Sequence, residues 1–261
     1  AFHLLHEEKS KVRISENAYT NCGMLQEVPR QRTFLALKEF ITIADSYKVR
    51  KTLCVATSAL RDAPNKKDFL KKVRDALKLN IKVIDGQKEA YYGGVACLNL
   101  LPKLQSALSI DIGGGSTEFT LIDERNITNT LSLDIGTVRL KELFCDSRKL
   151  VDATEYIDSK LEFLDDINIS TLVGIGGTFR AISSAIMNNS NYPLNKIHAY
   201  QYSDEIFKTF IADVLQADEK ELKSLGIEEN RFDVIKPGTL ILQRVLYKLS
   251  SVNIITSGVG V

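Results

Sequence analysis

The 261-residue sequence predicts an α/β protein, and three observations support this fold class. Up to about residue 100, short apolar runs alternate with amphipathic helical patterns, which is typical of parallel strands joined by crossover helices. In the second half, three strand-like runs follow one another through tight turns before the next helix. Strands of this half also end in glycine-rich turns, in DIGGGST, DIGT and GIGGT.

The first half predicts three strand-and-helix units. Residues 3–13 contain strand-forming residues, and residues 31–47 follow as an amphipathic helix. Residues 51–59 (KTLCVATSA) are predicted as a buried strand. Asn65 is the expected N-cap of a helix that ends at Leu77, with Asp68 at the capping-box position. A short strand over residues 81–85 and a helix over residues 87–100 complete this half.

Pro102 and a short polar stretch separate the two halves, so we predict domains at residues 1–103 and 104–261. The second half opens with a meander of three strands, in SALSIDI, EFTLID and NITNTLSLDIG. A helix over residues 137–144 follows. STLVGIGG then predicts a strand that leads into a helix over residues 178–187, a further helical pattern spans residues 240–249, and VNIITSG predicts the last strand.

Composition excludes several classes of protein. A hydrophobic content of 44% and a charged content of 26% are ordinary for a soluble globular protein. The formal net charge of +1 argues against a nucleic-acid coat or a membrane-surface protein. No apolar run approaches the ~20 residues of a membrane span. We therefore expect neither a nucleic acid nor a membrane as partner; oligomeric state is not readable, and a homodimer stays open.

Cysteine and histidine spacing argues against disulfide and zinc sites. The four cysteines form no CxxC pair, which favours reduced thiols and a cytoplasmic location: Cys22, Cys54, Cys97 and Cys145. The three histidines show no metal-ligand spacing and are predicted to be structural: His3, His6 and His198.

The glycine-rich turns are candidates for phosphate binding. Glycine accepts positive φ and close approach of a ligand, and successive N–H groups in such a turn form a nest for phosphate oxygens. The predicted nest residues are Gly113, Gly114, Gly115, Ser116, Thr117, Gly176, Gly177 and Thr178. Thr178 and Thr137 are expected to cap helices whose positive ends favour an anion. One such turn alone is more often only an ordinary turn, but three in one chain favour phosphate.

Two acids flank the triple-glycine turn. Asp111 ends the strand before it, and Glu118 lies on the return strand, sharing a face with Thr120 and Ile122. The two carboxylates are expected to lie near enough to hold one Mg²⁺. A metal, two carboxylates and a phosphate nest are the parts that phosphoryl transfer requires.

Arg61 and Glu89 are less specific on spacing alone. Arg61 follows a predicted strand at the edge where ligands tend to bind, but a surface pair with Asp62 fits as well. Glu89 lies in the first turn of a helix, where a simple helix-end charge is the favoured interpretation.

Six segments resemble, in their layout, the exopolyphosphatase / guanosine pentaphosphate phosphohydrolase (Ppx/GppA) family: DIGGGSTE, ATSALRDAPN, DGQKEAYYGGV, SLDIGTVRLKE, GIGGTFRAI and NRFDVIKPG. The resemblance runs from about Cys54 to Val261. It implies two actin-like (ribonuclease-H-like) domains, with mixed sheets flanked by helices and an active site in the cleft between them. It also implies Mg²⁺-dependent hydrolysis of terminal phosphoanhydride bonds in polyphosphate, or in pppGpp to give ppGpp.

The resemblance assigns roles to individual residues. Asp111 and Glu118 match metal-associated acids, which makes Glu118 a catalytic residue too, and Gly113 to Thr117 match a phosphate loop. Glu89 matches the catalytic base, against the interpretation from spacing. Arg61 matches a phosphate clamp.

Departures from the family pattern leave alternatives open. The family's first phosphate loop is expected ahead of Ala1, and a REG-type segment beyond Val261; Asp85 and Lys88 stand where Ser and Glu are usual. An actin-like sugar or acetate kinase, or a non-catalytic alarmone-binding module, are the rival functions. A pure binder does not need all three acids, Glu89, Asp111 and Glu118. The choice between polyphosphate and pppGpp stays open.

Overall fold

The computed structural model describes residues 3–102, 104–250 and 252–260, and within them the chain forms eight strands and ten α-helices. The chain divides into two compact units, Ala1–Ile84 and Asp85–Val261. The strands are β1 (Cys54–Ala56), β2 (Ile81–Val83), β3 (Ser106–Ile112), β4 (Thr117–Asp123), β5 (Asn126–Leu133), β6 (Thr171–Ile175), β7 (Tyr200–Ser203) and β8 (Asn253–Thr256). The helices are α1 (Glu27–Ser46), α2 (Ser58–Asp62), α3 (Lys66–Leu77), α4 (Gly86–Leu100), α5 (Thr137–Leu140), α6 (Leu150–Lys160), α7 (Gly176–Asn189), α8 (Asp204–Gln216), α9 (Glu219–Ser224) and α10 (Phe232–Lys248).

The first unit combines α1 to α3 with the parallel pair β1–β2. Phe69 and Val73 of α3 lie at the centre of its core. Asn65 occupies the N-cap position of α3 as predicted, but its side chain does not cap the helix. Its Oδ1 accepts from the Leu25 N–H at 3.0 Å and its Nδ2 donates to the Leu25 carbonyl at 2.9 Å. The predicted cap is therefore wrong, because this amide ties α3 to the segment ahead of α1.

Two predicted strands of the first half are wrong or too long. Residues 3–13 form no strand: most of them are exposed, and no strand in the described part of the chain pairs with them. The run over residues 51–59 is a strand only at Cys54–Ala56, since α2 begins at Ser58. The predicted helices are confirmed, with α1 beginning four residues earlier than expected, at Glu27.

The second unit contains a six-stranded mixed sheet in the order β5-β4-β3-β6-β8-β7. Strands β3, β4 and β5 form the predicted antiparallel meander, β6 and β8 run parallel to β3, and β7 closes the far edge as an antiparallel strand. This order is that of a ribonuclease-H-like sheet. The predicted fold class, a mixed sheet flanked by helices, is confirmed.

Alternation along β3 divides its side chains between two cores. Leu108, Ile110 and Ile112 point into the large core on the side of α5 to α10. Ala107 belongs to a smaller core on the other face, beneath α4, and Asp111 shares that face because side chains alternate along a strand. The site residues thus lie on the face that α4 covers.

Helix α4 lies against β3, β4 and β5 of the second unit. Thr120 of β4 donates its hydroxyl proton to the Ala90 carbonyl of α4 at 2.7 Å. A Cβ on Gly94 would lie 2.5 Å from Thr120 Cγ2, so only glycine permits this approach. The predicted domain division at residues 103/104 stays a prediction, whereas the compact units divide ahead of α4.

The starts of two helices differ from expectation. Gly136 and Ile175 have extended backbones and are the N-cap residues, so α5 begins at Thr137 and α7 at Gly176. Thr137 and Thr178 therefore lie inside their helices and the capping roles predicted for them are wrong. No helix among the described residues has the length and apolar character needed to cross a bilayer.

Candidate functional site

Asp111 and Glu118 form a directly opposed pair on the antiparallel strands β3 and β4. Opposed residues of an antiparallel pair point to the same face of the sheet. The predicted proximity of the two carboxylates follows from this register, which the glycine turn between the strands sets. Glu118 is only 4% exposed, whereas Asp111 is partly exposed.

Glu89 reaches the same face from the first turn of α4. The carboxylate of Asp85 caps this helix by accepting the Lys88 N–H at 2.7 Å. Next to Glu89, the Ala90 carbonyl is bound by Thr120, two residues beyond Glu118 on β4. The negative charge of Glu89 raises the pKa of both Asp111 and Glu118. The structure thus brings together the three acids that the sequence singled out.

Glu118 is held by two serine hydroxyls that donate to the same oxygen. Ser116 Oγ lies 2.6 Å and Ser132 Oγ 2.7 Å from Glu118 Oε1. Burial, and then the charge of Glu89, raise the pKa of Glu118 to about 8, while the two hydroxyls lower it. Sequence reasoning missed Ser132, whose role depends on the β4–β5 register that pairs it with Glu118.

Asp111 lies between acidic and basic neighbours. Burial and the charge of Glu89 raise its pKa to about 6, and Arg180 of α7 acts in the opposite direction. Its Oδ1 lies so close to Gly176 that a Cβ there would collide with it, and Gly176 also has φ +85°, which favours glycine. Arg180 is a second residue that sequence reasoning missed.

The carbonyls of the triple-glycine turn are bound by the second glycine turn. The N–H groups of Thr137 and Val138 donate to the carbonyls of Gly113 and Gly114 at 2.9 and 2.8 Å. The N–H of Arg139 donates to Gly114 at 3.1 Å, and its Nε donates to the Gly115 carbonyl at 2.7 Å. The expected anion site at the start of α5 is therefore wrong, because these donors already have protein acceptors.

Close approach of the two turns requires glycine at position 136. A Cβ on Gly136 would lie 2.5 Å from the carbonyl carbon of Gly115 and 2.6 Å from that of Gly114. Positive φ, in contrast, occurs at none of Gly113, Gly114 and Gly115. Within the described residues, the amides of Gly114 and Gly115 donate to no protein acceptor, which leaves them available to an anion.

Two threonines of the predicted phosphate-binding set serve to pack the turns. Thr117 Oγ1 donates to the Ile135 carbonyl at 2.5 Å, which ties the two turns together. Thr178 is buried, and a Cβ on Gly238 of α10 would lie 2.7 Å from its Oγ1. Any phosphate contact of Thr178 is thus left to its backbone, and its role stays a prediction.

The third glycine turn lies at the start of α7. A Cβ on Gly177 would lie 2.8 Å from Arg231 Cζ, so the guanidinium group of Arg231 covers this turn. A phosphate role for Gly176 and Gly177 stays a prediction. Arg231 is in the NRFDVIKPG segment, whose residues carried no assigned role in the sequence.

Arg61 lies in α2 of the first unit. Its Nε is 3.5 Å from Asp62 Oδ1, which is the ion pair that the sequence left open as an alternative. The phosphate-clamp role stays a prediction.

The donor set fits a hard cation. Asp111 and Glu118 offer carboxylate oxygens, and the charge of Glu89 adds to the cost of ionising both, a cost that a cation offsets. In the described part of the chain, no group of three or more His, Cys, Asp or Glu side chains is arranged as a complete metal cage. Mg²⁺ usually keeps several waters and takes one or two carboxylates, which this pair can supply.

The fold and the site together define a ribonuclease-H-like domain whose acids flank a glycine turn with unpaired amides. The matching family model covers residues 1–261 and is that of the Ppx/GppA phosphatase family. The chain belongs to this family, and the resemblance seen in the sequence is confirmed.

Individual relatives agree with this assignment. The chain is 34% identical over 258 residues to a bifunctional 3-dehydroquinate synthase/phosphatase of Fusobacterium nucleatum, covering 93% of this chain and 38% of that protein. It is 29% identical to a putative exopolyphosphatase of Haemophilus influenzae, covering 93% of this chain and 76% of that one.

Solved structures of the family have the same fold. An exopolyphosphatase from Cytophaga hutchinsonii superimposes with a TM-score of 0.86 at 27% identity, covering 98% of this chain and 86% of that one. The Ppx/GppA family member of Aquifex aeolicus gives a TM-score of 0.77 at 26% identity, covering 95% and 83%.

Proposed function

We propose that this chain is a Mg²⁺-dependent phosphohydrolase that removes the terminal phosphate of inorganic polyphosphate, of guanosine pentaphosphate, or of both. The observation that supports this proposal is the convergence of Glu89, Asp111 and Glu118 on one sheet face beside a turn with two unpaired amides. Relatives named exopolyphosphatase and guanosine-5'-triphosphate,3'-diphosphate pyrophosphatase support the same substrate class.

The terminal phosphate binds the backbone amides of Gly114 and Gly115. These donors are fixed because the carbonyls on the other side of the turn are held by α5. Fixed donors stabilise charge that develops on phosphate oxygens without having to reorient during the reaction. This turn recognises the phosphate group itself. Other residues select the molecule to which that phosphate is attached.

Glu89 acts as the base in this proposal. A water oxygen attacks the terminal phosphorus, Glu89 accepts its proton, and the bond from that phosphorus to the bridging oxygen breaks. The bridging oxygen leaves with the shortened polyphosphate or with ppGpp, and orthophosphate is released. Asp111 and Glu118 would hold Mg²⁺, which supplies charge neutralisation for the phosphate oxygens when it is bound. Arg61 keeps the phosphate-clamp role that the resemblance implies, as a prediction.

The test is phosphate release from pppGpp and from short and long polyphosphate, with and without Mg²⁺. Glu89→Gln removes the base at nearly constant volume, and we expect release to fall by roughly 10²–10⁴-fold. Glu155→Gln is the matched control, because Glu155 is an exposed helical glutamate of α6. Normal release by Glu89→Gln would show that the base is assigned wrongly.

Two results would favour the rival functions. Phosphoryl transfer to a sugar or acetate, with no release in the absence of that acceptor, would indicate a kinase. Tight binding of ppGpp with no turnover of any of the three substrates would indicate a binding module. Release that does not change when Mg²⁺ is replaced by a chelator would contradict the metal assignment.

A further inference from the structure

His198 forms two hydrogen bonds that connect distant parts of the second unit. Its Nδ1 accepts the N–H of Gly258 at 3.1 Å, and its Nε2 lies 2.8 Å from the carbonyl oxygen of Leu100 at the end of α4. A carbonyl can only accept, so the ring proton is on Nε2. The ring is therefore neutral in this arrangement, with one nitrogen as donor and the other as acceptor.

The backbone around His198 is shaped for this contact. Ala199 has φ +64°, a left-handed conformation that non-glycine residues seldom adopt, and its N–H donates to the Thr256 carbonyl at 2.9 Å. A Cβ on Gly258 would lie 3.1 Å from His198 Cβ, so the two chain segments are close. Backbone strain of this kind persists only when surrounding contacts enforce it, and it is common near functional sites.

The Gly258 peptide is held from its other side by Arg180. Arg180 Nη1 donates to the Gly258 carbonyl at 3.2 Å, while the N–H of the same residue is held by His198. Ser257, one residue earlier, donates its N–H to the Gly174 carbonyl of β6 at 2.8 Å. The turn after β8 is therefore fixed on both edges.

The segment that follows this turn lies beside the carboxylate of Asp111. A Cβ on Gly260 would lie 3.5 Å from Asp111 Oδ2 and 2.7 Å from Ile175 Cγ2, so the backbone there approaches the carboxylate closely. Arg180 is also the neighbour whose positive charge favours ionised Asp111. Hydrogen bonds thus connect the His198 ring through Gly258 to Arg180, and the same chain segment continues to Gly260 beside the Asp111 carboxylate.

We propose that His198 is a positioning residue of the phosphohydrolase site: its Nδ1 holds the Gly258 turn so that Arg180 and the backbone at Gly260 fix the Asp111 carboxylate. The proposal rests on the function proposed above. His198 itself does not touch Asp111 or the reacting atoms in this role. The bond from Nε2 to Leu100 orients the ring and selects its tautomer.

Two conservative variants separate the two bonds of the ring. His198→Asn keeps an acceptor oxygen at the place of Nδ1, whereas His198→Gln keeps a donor at the place of Nε2. We expect kcat for phosphate release to stay within about threefold in His198→Asn and to fall about tenfold in His198→Gln and His198→Ala, with KM nearly unchanged, because a misplaced site residue slows the chemical step more than binding.

Two measurements by NMR test the positioning without turnover. Exchange of the Gly258 amide should accelerate in His198→Gln and stay slow in His198→Asn. Exchange of the Arg180 guanidinium protons should also accelerate in His198→Gln, because Arg180 loses the carbonyl that orients it. Thermal melting of each variant reports whether it is folded.

The outcomes separate this inference from the proposed function. Equal loss of kcat in the Asn and Gln variants, or unchanged Gly258 exchange in all three, would overturn the role of His198 while leaving the proposed function intact. Normal phosphate release by Glu89→Gln would overturn the assignment of the base alone. If the wild type released no phosphate, unchanged exchange of the Arg180 guanidinium protons across the three His198 variants would overturn the positioning role, and faster exchange in His198→Gln would support it.

Discussion

Glu118 and Ser132 face each other across β4 and β5, and the Ser132 hydroxyl donates to Glu118 Oε1 at 2.7 Å. Ser116 donates to the same oxygen from the glycine turn. Two protein donors thereby fix one carboxylate oxygen, and the side chain of Glu118 is held in place by its neighbours in the sheet and the turn.

Ser132→Ala should shift the pH dependence of phosphate release to higher pH. The hydroxyl favours the ionised form of Glu118, so its removal raises the pKa of that carboxyl further. A hydrogen bond to a charged group is worth ~1.5–3 kcal/mol, and we expect kcat at neutral pH to fall about tenfold. Ser159→Ala, at an exposed position of α6, is the control. An unchanged pH profile would contradict a role for this hydroxyl.

Glu118 should make the metal-free protein less stable as pH rises. Its pKa in the folded protein, about 8, lies above its ordinary value of 4.5, so the folded protein binds this proton more tightly than the unfolded chain does. The stabilisation from this proton is complete below pH 4.5 and is lost as pH rises toward 8. Asp111 adds a smaller effect of the same sign between pH 3.8 and about 6.

Glu118→Gln should flatten this dependence. At ~1.4 kcal/mol per pKa unit, we expect the free energy of unfolding of the wild type to fall by roughly 3 kcal/mol relative to Glu118→Gln between pH 5 and pH 8. Urea denaturation in chelator-treated buffer measures this free energy of unfolding at each pH, with Glu155→Gln as the control. Parallel curves of unfolding free energy against pH for the wild type and Glu118→Gln would show that the fold does not raise the pKa of Glu118.

Adjacent glycines of α4 should respond oppositely to alanine. A Cβ on Gly93 would meet Ile175 Cδ1 at 3.5 Å, an ordinary contact, so Gly93→Ala should stabilise by up to about 1 kcal/mol through helix propensity. A Cβ on Gly94 would lie 2.5 Å from Thr120 Cγ2 and should force α4 away from β4, at a cost of about 1–3 kcal/mol.

Thermal melting of the two alanine variants decides this prediction. Gly94→Ala should also slow phosphate release, since α4 carries Glu89, whereas Gly93→Ala should melt at a higher temperature than the wild type. A Gly94→Ala variant as stable as Gly93→Ala would mean that α4 does not approach β4 as closely at Gly94 as described.

Ala199→Gly should stabilise the protein. The left-handed conformation at φ +64° costs alanine ~1–2 kcal/mol, and glycine adopts it freely. Part of this gain is lost because glycine has the greater conformational entropy in the unfolded chain. We therefore expect a net gain of about 0.5–1 kcal/mol in the free energy of unfolding. Ala76→Gly, exposed in α3, is the control and should cost about 1 kcal/mol. A loss of stability in Ala199→Gly would show that the left-handed backbone at residue 199 does not strain the native protein.

Local pattern predicted the elements of the second unit well, and contacts between elements explain what it missed. Strands β3, β4 and β6 lie where they were expected because a glycine turn bounds each of these runs at one end, ending β3 and β6 and preceding β4. The anion site expected at the start of α5 was wrong, because whether N–H groups are available depends on which carbonyls approach them. Ser132 and Arg180 could not be found in the sequence, since strand register and helix packing bring them to Glu118 and Asp111.

The mutual binding of the two glycine turns has a thermodynamic consequence. Four donors of α5 hold the carbonyls of Gly113, Gly114 and Gly115, so these peptide planes cannot flip without breaking bonds that stabilise the fold. The conformational entropy of the loop is lost when the protein folds and not when the ligand arrives. The phosphate recognition proposed for this turn would therefore be preorganised, and a loosened α5 would weaken anion affinity even where every group that touches the anion is unchanged.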